Sequence, residues 1–158
     1  MHPVPAIPAG MTAVTPHLVC RGAVDAIAFY QAAFGAVECA RLPMPDGKLL
    51  AHGLINIGGA FLMLVDEMPG MGMSSPLALG GTPVTIHLYV PDVDATFAQA
   101  VAAGARVVAP VADMFWGDRY GILVDPFGHH WSVATHTRDL SPEEIAAAMR
   151  GGACDPGA

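Results

Sequence analysis

Apolar and polar positions along this chain switch between two periods. Residues 23–34 carry Ile27, Tyr30 and Phe34 three and four apart, one apolar stripe that predicts a helix, and Gly35 follows as its stop. Residues 93–103 predict a second helix, ended by Gly104. Short β-branched or alternating runs predict strands at 14–19, 37–42, 49–57, 60–65, 84–90 and 105–111, with Pro16 placing the first near an edge or end. Asp46-Gly47 marks a turn, and Gly58-Gly59 folds 49–57 onto 60–65 as a hairpin. A further hairpin opens at Ile122–Val124, turns through Asp125-Pro126-Phe127-Gly128, and returns along 130–135, where Trp131 and Val133 alternate with His130, Ser132 and Ala134. Ile27, Tyr30, Phe34, Trp131 and Val133 are the expected core. Ser141-Pro142-Glu143-Glu144 is a capping box that starts a last helix running to about residue 150.

Two stretches break the periodicity. Residues 115–120, with Phe115, Trp116, Asp118, Arg119 and Tyr120, read as a polar and aromatic recognition loop leading into the last hairpin. Residues 66–82 are rich in Gly and hold Met68, Met71 and Met73, which reads as a flexible linker, with an adaptable apolar lid as the alternative.

The element order is itself repeated: strand, helix, three strands, twice. Val24-Asp25-Ala26 matches Val93-Asp94-Ala95, Gly35-Ala36 matches Gly104-Ala105, and Gly59 matches Gly128, all 69 residues apart. His17-Leu18 matches His87-Leu88 at 70, so one extra residue lies in the turn before the helix. Neither βαβββ module can bury a sheet face alone. Paired, they make an α+β fold: a curled mixed-sheet half-barrel with helices outside and a ligand-sized cleft on the uncovered face. The expected divisions are an extended arm at 1–13, modules at 14–66 and 83–137, the linker at 67–82, the helix at 141–150 and a loose tail at 151–158.

With 158 residues, 53% hydrophobic and 13% charged, the chain can bury one sizeable core. A formal net charge of −7 argues against nucleic acid or an anionic membrane as partner. No apolar run reaches the ~20 residues of a membrane span, and the Pro-rich start without a basic residue is unlike a signal peptide. Cys20, Cys39 and Cys154 have neither metal-type spacing nor an even count, which fits a reducing cytoplasm. A mean hydropathy of +0.47 fits apolar surface hidden in a homodimer.

The stretches V-T-P-H-L, A-I-A-F-Y-Q-A-A-F-G-A, P-D-G-K, I-H-L-Y-V-P-D-V-D, A-A-G-A, F-W-G-D-R-Y-G, D-P-F-G-H-H-W-S-V-A-T and S-P-E-E, in this order over residues 14–150, resemble the vicinal oxygen chelate superfamily. That superfamily includes glyoxalase I, extradiol dioxygenases, fosfomycin-modifying enzymes and bleomycin resistance proteins, and the chain is most similar to its PhnB-like group. The resemblance implies the glyoxalase/bleomycin resistance fold. It also implies that enzymes of this kind hold a divalent metal through His and Glu on the first and last strands of each module. Registered onto this chain, those positions are Thr15, Met63, Thr85 and Ser132, which are not ligands for such a metal.

A two-residue slip brings His17 and His87 to the same face, with His130 nearby, and this trio is the alternative metal site. His129 is read as structural at the turn, His52 could face either way, and His2 and His136 lie near loose ends or strand exits.

Two functions follow. The first is a metal-free cleft for a planar, partly polar small molecule, lined by Thr15, His17, Met63, Thr85, His87, Tyr120, His130 and Ser132, with Phe115 and Trp116 over its mouth. Arg119 would pair a ligand carboxylate, or form a network with Asp118 that pins the loop. The resemblance implies antibiotic sequestration by a dimer. The alternative is a lyase, isomerase or extradiol-type dioxygenase, using a divalent metal or His17 or His87 as base. A regulatory ligand is a third possibility.

Overall fold

The computed structural model describes residues 4–151, so His2 and Cys154 lie outside the described residues. The elements run β1 (His17–Cys20), α1 (Ala23–Phe34), β2 (Val37–Pro43), β3 (Leu50–Ile57), β4 (Ala60–Asp66), α2 (Pro76–Leu79), β5 (Thr85–Tyr89), α3 (Val93–Ala103), β6 (Arg106–Asp113), β7 (Asp118–Val124), β8 (His130–His136) and α4 (Pro142–Arg150). They form two four-stranded sheets, ordered β1-β4-β3-β2 and β5-β8-β7-β6. In each, the first strand runs parallel to the last and every other neighbour is antiparallel. This is the expected α+β pair of βαβββ modules, curled without closing into a barrel.

One core serves both modules. Ile27, Tyr30, Trp131 and Val133 are almost fully buried, as the apolar stripe requires. Helix α1 of the first module lays Tyr30 and Phe34 against Trp131 of the second, with ring centroids 5.4 and 4.7 Å apart. Each large apolar side chain buried this way stabilises the fold by ~1.5–3 kcal/mol. Helices α1 and α3 lie together, and the Gln99 amide donates to the Ala32 carbonyl oxygen at 2.7 Å. Gly35 and Gly104 stop their helices in the left-handed conformation, and the Ser141–Glu144 capping box forms as expected.

The ladders carry the repeat. His17 stands opposite Met63 in the first module, and His87 opposite Ser132 in the second. The third strands are offset by 68, because the β7–β8 hairpin is one residue longer than β3–β4; Asn56 pairs with Phe61, and Val124 with His130.

Four expectations change. Strand β1 begins at His17 and not at residue 14, because Pro16 has no N–H to give; its carbonyl instead receives the Met63 N–H at 2.9 Å. Among the described residues the N-terminal arm turns at residues 8–11, where Met11 N–H donates to the Pro8 carbonyl. The segment after β4 is not a featureless linker: it holds a 3-10 turn at Pro69–Met71 and the helical turn α2. Fully buried Ser75 fastens it, its backbone N–H and hydroxyl both donating to Glu67. Finally, β7 begins at Asp118, so the second half of the supposed recognition loop is strand.

Candidate functional site

Each sheet buries one face under the helices and leaves the other open. On the second module the ladder arranges the open face in rows across β6, β7, β8 and β5. The first row is Arg106, Val124, His130 and Thr85; the second is Ala109, Ile122, Ser132 and His87; the third is Ala112, Tyr120, Ala134 and Tyr89. Asp118 and His136 follow as a pair. On the first module, His17, Met63, Leu54 and Ala40 form the matching row. Strands β1 and β5, the inner edges of the two sheets, flank a cavity of about 480 Å³ to which Pro16, His17, Thr85, His87 and His129 contribute.

Aromatic rings run unbroken along this face. The His87 ring meets Tyr89 edge-on at 4.5 Å and lies nearly parallel to Tyr120 at 6.1 Å. Trp116 meets Tyr120 edge-on at 5.5 Å, and Phe115 meets Trp116 at 5.0 Å. Ser132 Oγ lies 2.7 Å from His87 Nδ1, which fixes the imidazole plane. Across the seam, His17 sits 6.2 Å from His52, ring to ring. Partial burial, then the neighbouring His52, pushes the His17 pKa down. His17 is therefore a neutral imidazole near neutral pH, able to accept a proton or a hydrogen bond.

A buried carboxylate closes the aromatic end. Asp118 accepts from Tyr89 Oη at 3.1 Å, Trp116 Nε1 at 3.1 Å and His136 Nδ1 at 2.7 Å. Burial alone would raise its pKa, but these donors together hold it below the ordinary carboxylate range. His136 Nε2 also lies 2.9 Å from Asp139, so both ring nitrogens face carboxylates, an arrangement that favours the protonated ring. Asp139 first and Asp118 second raise its pKa.

The signs set a pH window. The raised His136 contributes stability that is complete below its unfolded value of about 6.5 and fades as pH climbs through the folded value. The depressed Asp118 contributes stability that is complete above about 3.9 and fades as pH falls through its folded value. The melting-temperature gap between the parent chain and His136→Gln should therefore be widest near pH 5–6 and narrow by pH 9. A gap that stays constant from pH 5 to 9 rules out this ion pair.

The ladder brings Thr85, His87, Tyr120, His130 and Ser132 onto one open face, with Phe115 and Trp116 at its end and His17 and Met63 across the seam. Thr15 lies before β1, its hydroxyl directed at the Thr12 carbonyl at 3.5 Å, so the residues level with Met63 and Ser132 are the histidines. Arg119 is elsewhere. It alternates with Asp118 to the opposite face and grips Asp94 of α3 at 2.6 and 2.7 Å, with Asp113 at 3.1 Å. Its partners are Asp94 and Asp113 and not Asp118, and it points away from the open face. Tyr89, His52 and His136 are also on the open face, though the pattern of the chain alone did not place them in the cleft. Tyr89 was within reach of that pattern, since it lies two residues beyond His87 on the same strand.

His129 packs between the modules. Its Nε2 lies 3.1 Å from the Val19 carbonyl and 3.7 Å from Cys20 Sγ. A ring nitrogen that donates to a carbonyl cannot take the thiol proton. Burial, then Asp125 and Asp66, pushes the Cys20 pKa far up, so this Cys–His pair is structural. Among the described residues, no three His, Cys, Asp or Glu side chains gather to share a metal ion, and no helix is long and apolar enough to cross a membrane.

Comparison with known proteins places this geometry. An uncharacterized protein of Mycobacterium bovis is 54% identical over 140 residues, covering 87% of this chain and 91% of its own. An Arabidopsis thaliana protein is 36% identical over 126 residues, 75% of each chain. The crystal structure of that Arabidopsis gene product superposes with a TM-score of 0.60 at 30% identity, covering 78% of this chain and 96% of the other. A PhnB protein from Bacillus cereus shares the fold at 16% identity, with a TM-score of 0.61 over 78% of this chain and 99% of its own. A family model matching residues 13–133, relatives over most of the chain and two βαβββ modules in matching register make this protein a member of the Glyoxalase/Bleomycin resistance protein/Dioxygenase superfamily.

Proposed function

We propose that the open face of the second module, completed across the seam by His17 and Met63, binds a small planar aromatic or partly polar organic molecule without a metal. The observation that carries this reading is the file of rings from His87 through Tyr89 and Tyr120 to Trp116, which lies on an exposed sheet face. Tyr89 is 59% exposed, although its hydroxyl is committed to Asp118. Exposed and half-buried rings held in this way offer contact area at little entropic cost, and the His87–Ser132 pair and neutral His17 orient a polar edge.

The metal-dependent chemistry known in the superfamily does not suit these residues. The first- and last-strand residues that stand level in the ladders are His17 with Met63 and His87 with Ser132. Two imidazoles in separate sheets, a thioether and a serine engaged with His87 are a thin donor set for Zn²⁺, Mn²⁺ or Fe²⁺, and among the described residues no carboxylate or thiolate joins them in a group of three.

A neutral planar probe, anthracene-2-carboxamide, tests the reading by calorimetry and thermal shift on metal-stripped protein. Saturable binding is expected, and probe at 100 times its Kd should add ~2.7 kcal/mol of stability. Trp116→Ala and Tyr120→Ala should each weaken binding roughly tenfold, the worth of one lost ring contact. Absence of saturable binding, or unchanged affinity in both variants, overturns the aromatic site. Binding that appears only after a divalent metal is restored overturns the metal-free part.

A further inference from the structure

We infer that the ligand is an aromatic anion, whose carboxylate docks at Arg106 and His130 while its ring system lies toward Tyr120 and Tyr89; this rests on the binding reading above. Arg106 and His130 share the first row of the open face, separated only by Val124. Both line a cavity of about 330 Å³ that the α2 turn walls in with Pro76, Leu77 and Gly80. The chain has 14 Asp and Glu against 7 Lys and Arg, so acidic partners are plentiful. Arg21, Arg41 and Arg119 each hold a carboxylate. Among the described residues Arg106 holds none, although it stands on the face that the ligand would cover.

An unpaired guanidinium and an imidazole lining one cavity, with Pro76, Leu77 and Val124 on its walls, make a site for a planar anion. Arg supplies a two-pronged donor, and the partly enclosed setting strengthens the charge-assisted bond. The opposite end of the face offers such a group no free donor. There the buried Asp118 carboxylate already accepts from Tyr89, Trp116 and His136, and His136 is held between Asp118 and Asp139. The two ends thus fix the ligand's direction. From the Arg106 row to the Tyr120 row is four residues of strand, or ~13 Å, a span suited to a linear acid of two or three fused rings.

The test pairs anthracene-2-carboxylate with its carboxamide, the same body without the charge. On the parent chain the acid should bind at least ~10-fold more tightly than the amide, the worth of one charge-assisted hydrogen bond. Arg106→Ala should erase that preference, weakening the acid by at least ~10-fold and the amide, which loses at most a neutral hydrogen bond, much less. Arg106→Lys should restore part of it, because a point charge remains without the fork. Arg106 is exposed and unpaired, so the variants should melt with the parent chain, and circular dichroism checks that they do. Equal affinity for acid and amide, or a preference that survives Arg106→Ala, overturns the anion site and leaves the aromatic site standing. If neither probe binds the parent chain, both readings fall together. If Arg106→Ala weakens acid and amide alike, Arg106 shapes the fold and reads no charge.

Discussion

Replacing Asp125 by Ala should cost this protein at least ~4 kcal/mol, lowering its melting temperature by roughly 8–16 °C. Asp125 sits in the β7–β8 hairpin turn and is 4% exposed. One carboxylate oxygen accepts the N–H groups of Phe127 and His129, both at 2.9 Å. The other accepts Tyr30 Oη at 2.7 Å and Trp131 Nε1 at 2.9 Å. Tyr30 belongs to helix α1 of the first module, so this carboxylate fastens the modules together as well as closing a turn. Burial and Asp125 raise the Tyr30 pKa well above normal, so its hydroxyl remains a donor throughout the working range. Removing the acceptor strands four buried donors at ~1–3 kcal/mol each, partly relieved by entering water. Asp125→Asn should fall between, since its amide keeps one acceptor but turns N–H groups toward other donors. Chemical denaturation of the three proteins measures this; a loss below ~1 kcal/mol for the Ala variant means the turn holds without its carboxylate.

Replacing Gly117 by Ala should cost about 3 kcal/mol, roughly 6–12 °C of melting temperature, and disturb the aromatic end of the site. Gly117 lies between Trp116 and Asp118 with φ near +103°, a conformation that strains any residue with a Cβ. Space is lacking as well: a Cβ would collide with the Arg138 carbonyl oxygen, which is backbone and cannot swing aside. The Gly117 carbonyl also accepts the Thr137 and Arg138 N–H groups at 2.9 Å and the Thr137 hydroxyl at 2.8 Å, tying the β7 entry to the strand exit. Relief of the clash must therefore pull Trp116 and Asp118 out of register. Trp116 should lose its bond to Asp118, its emission should shift, and anthracene-2-carboxamide should bind at least ~10-fold more weakly. A variant that melts within 2 °C of the parent, with the same emission, would show that the loop absorbs a methyl group.

Several features of the fold follow from local rules. The stripe of Ile27, Tyr30 and Phe34, the helix stops at Gly35 and Gly104 and the Ser141–Glu144 capping box are each decided within a few residues. The repeat is legible because both modules solve the same burial problem with the same spacing. Boundaries fared worse where polar residues sit in strands. Asp118, Arg119 and Tyr120 have loop-like composition, yet β8 supplies their ladder partners, and no local pattern reveals a partner 14 to 18 residues away.

The site divides the same way. Sequence alone determined the two-module fold and the open-face placement of His17, His87 and Ser132 by strand alternation. Tertiary structure alone decided which groups are already committed. Arg119 looks free in sequence, but its side chain crosses to Asp94 on α3, 25 residues back. Asp118 looks like a loop acid, but the approach of Tyr89 and His136 makes it the buried end of the site. Arg106 stood out in no motif, and only its lack of a partner beside a cavity marks it. The physical reason is range: alternation and capping act between neighbours in the chain, whereas charge pairing and hydrogen bonding are settled by whichever groups the fold brings within 3 Å.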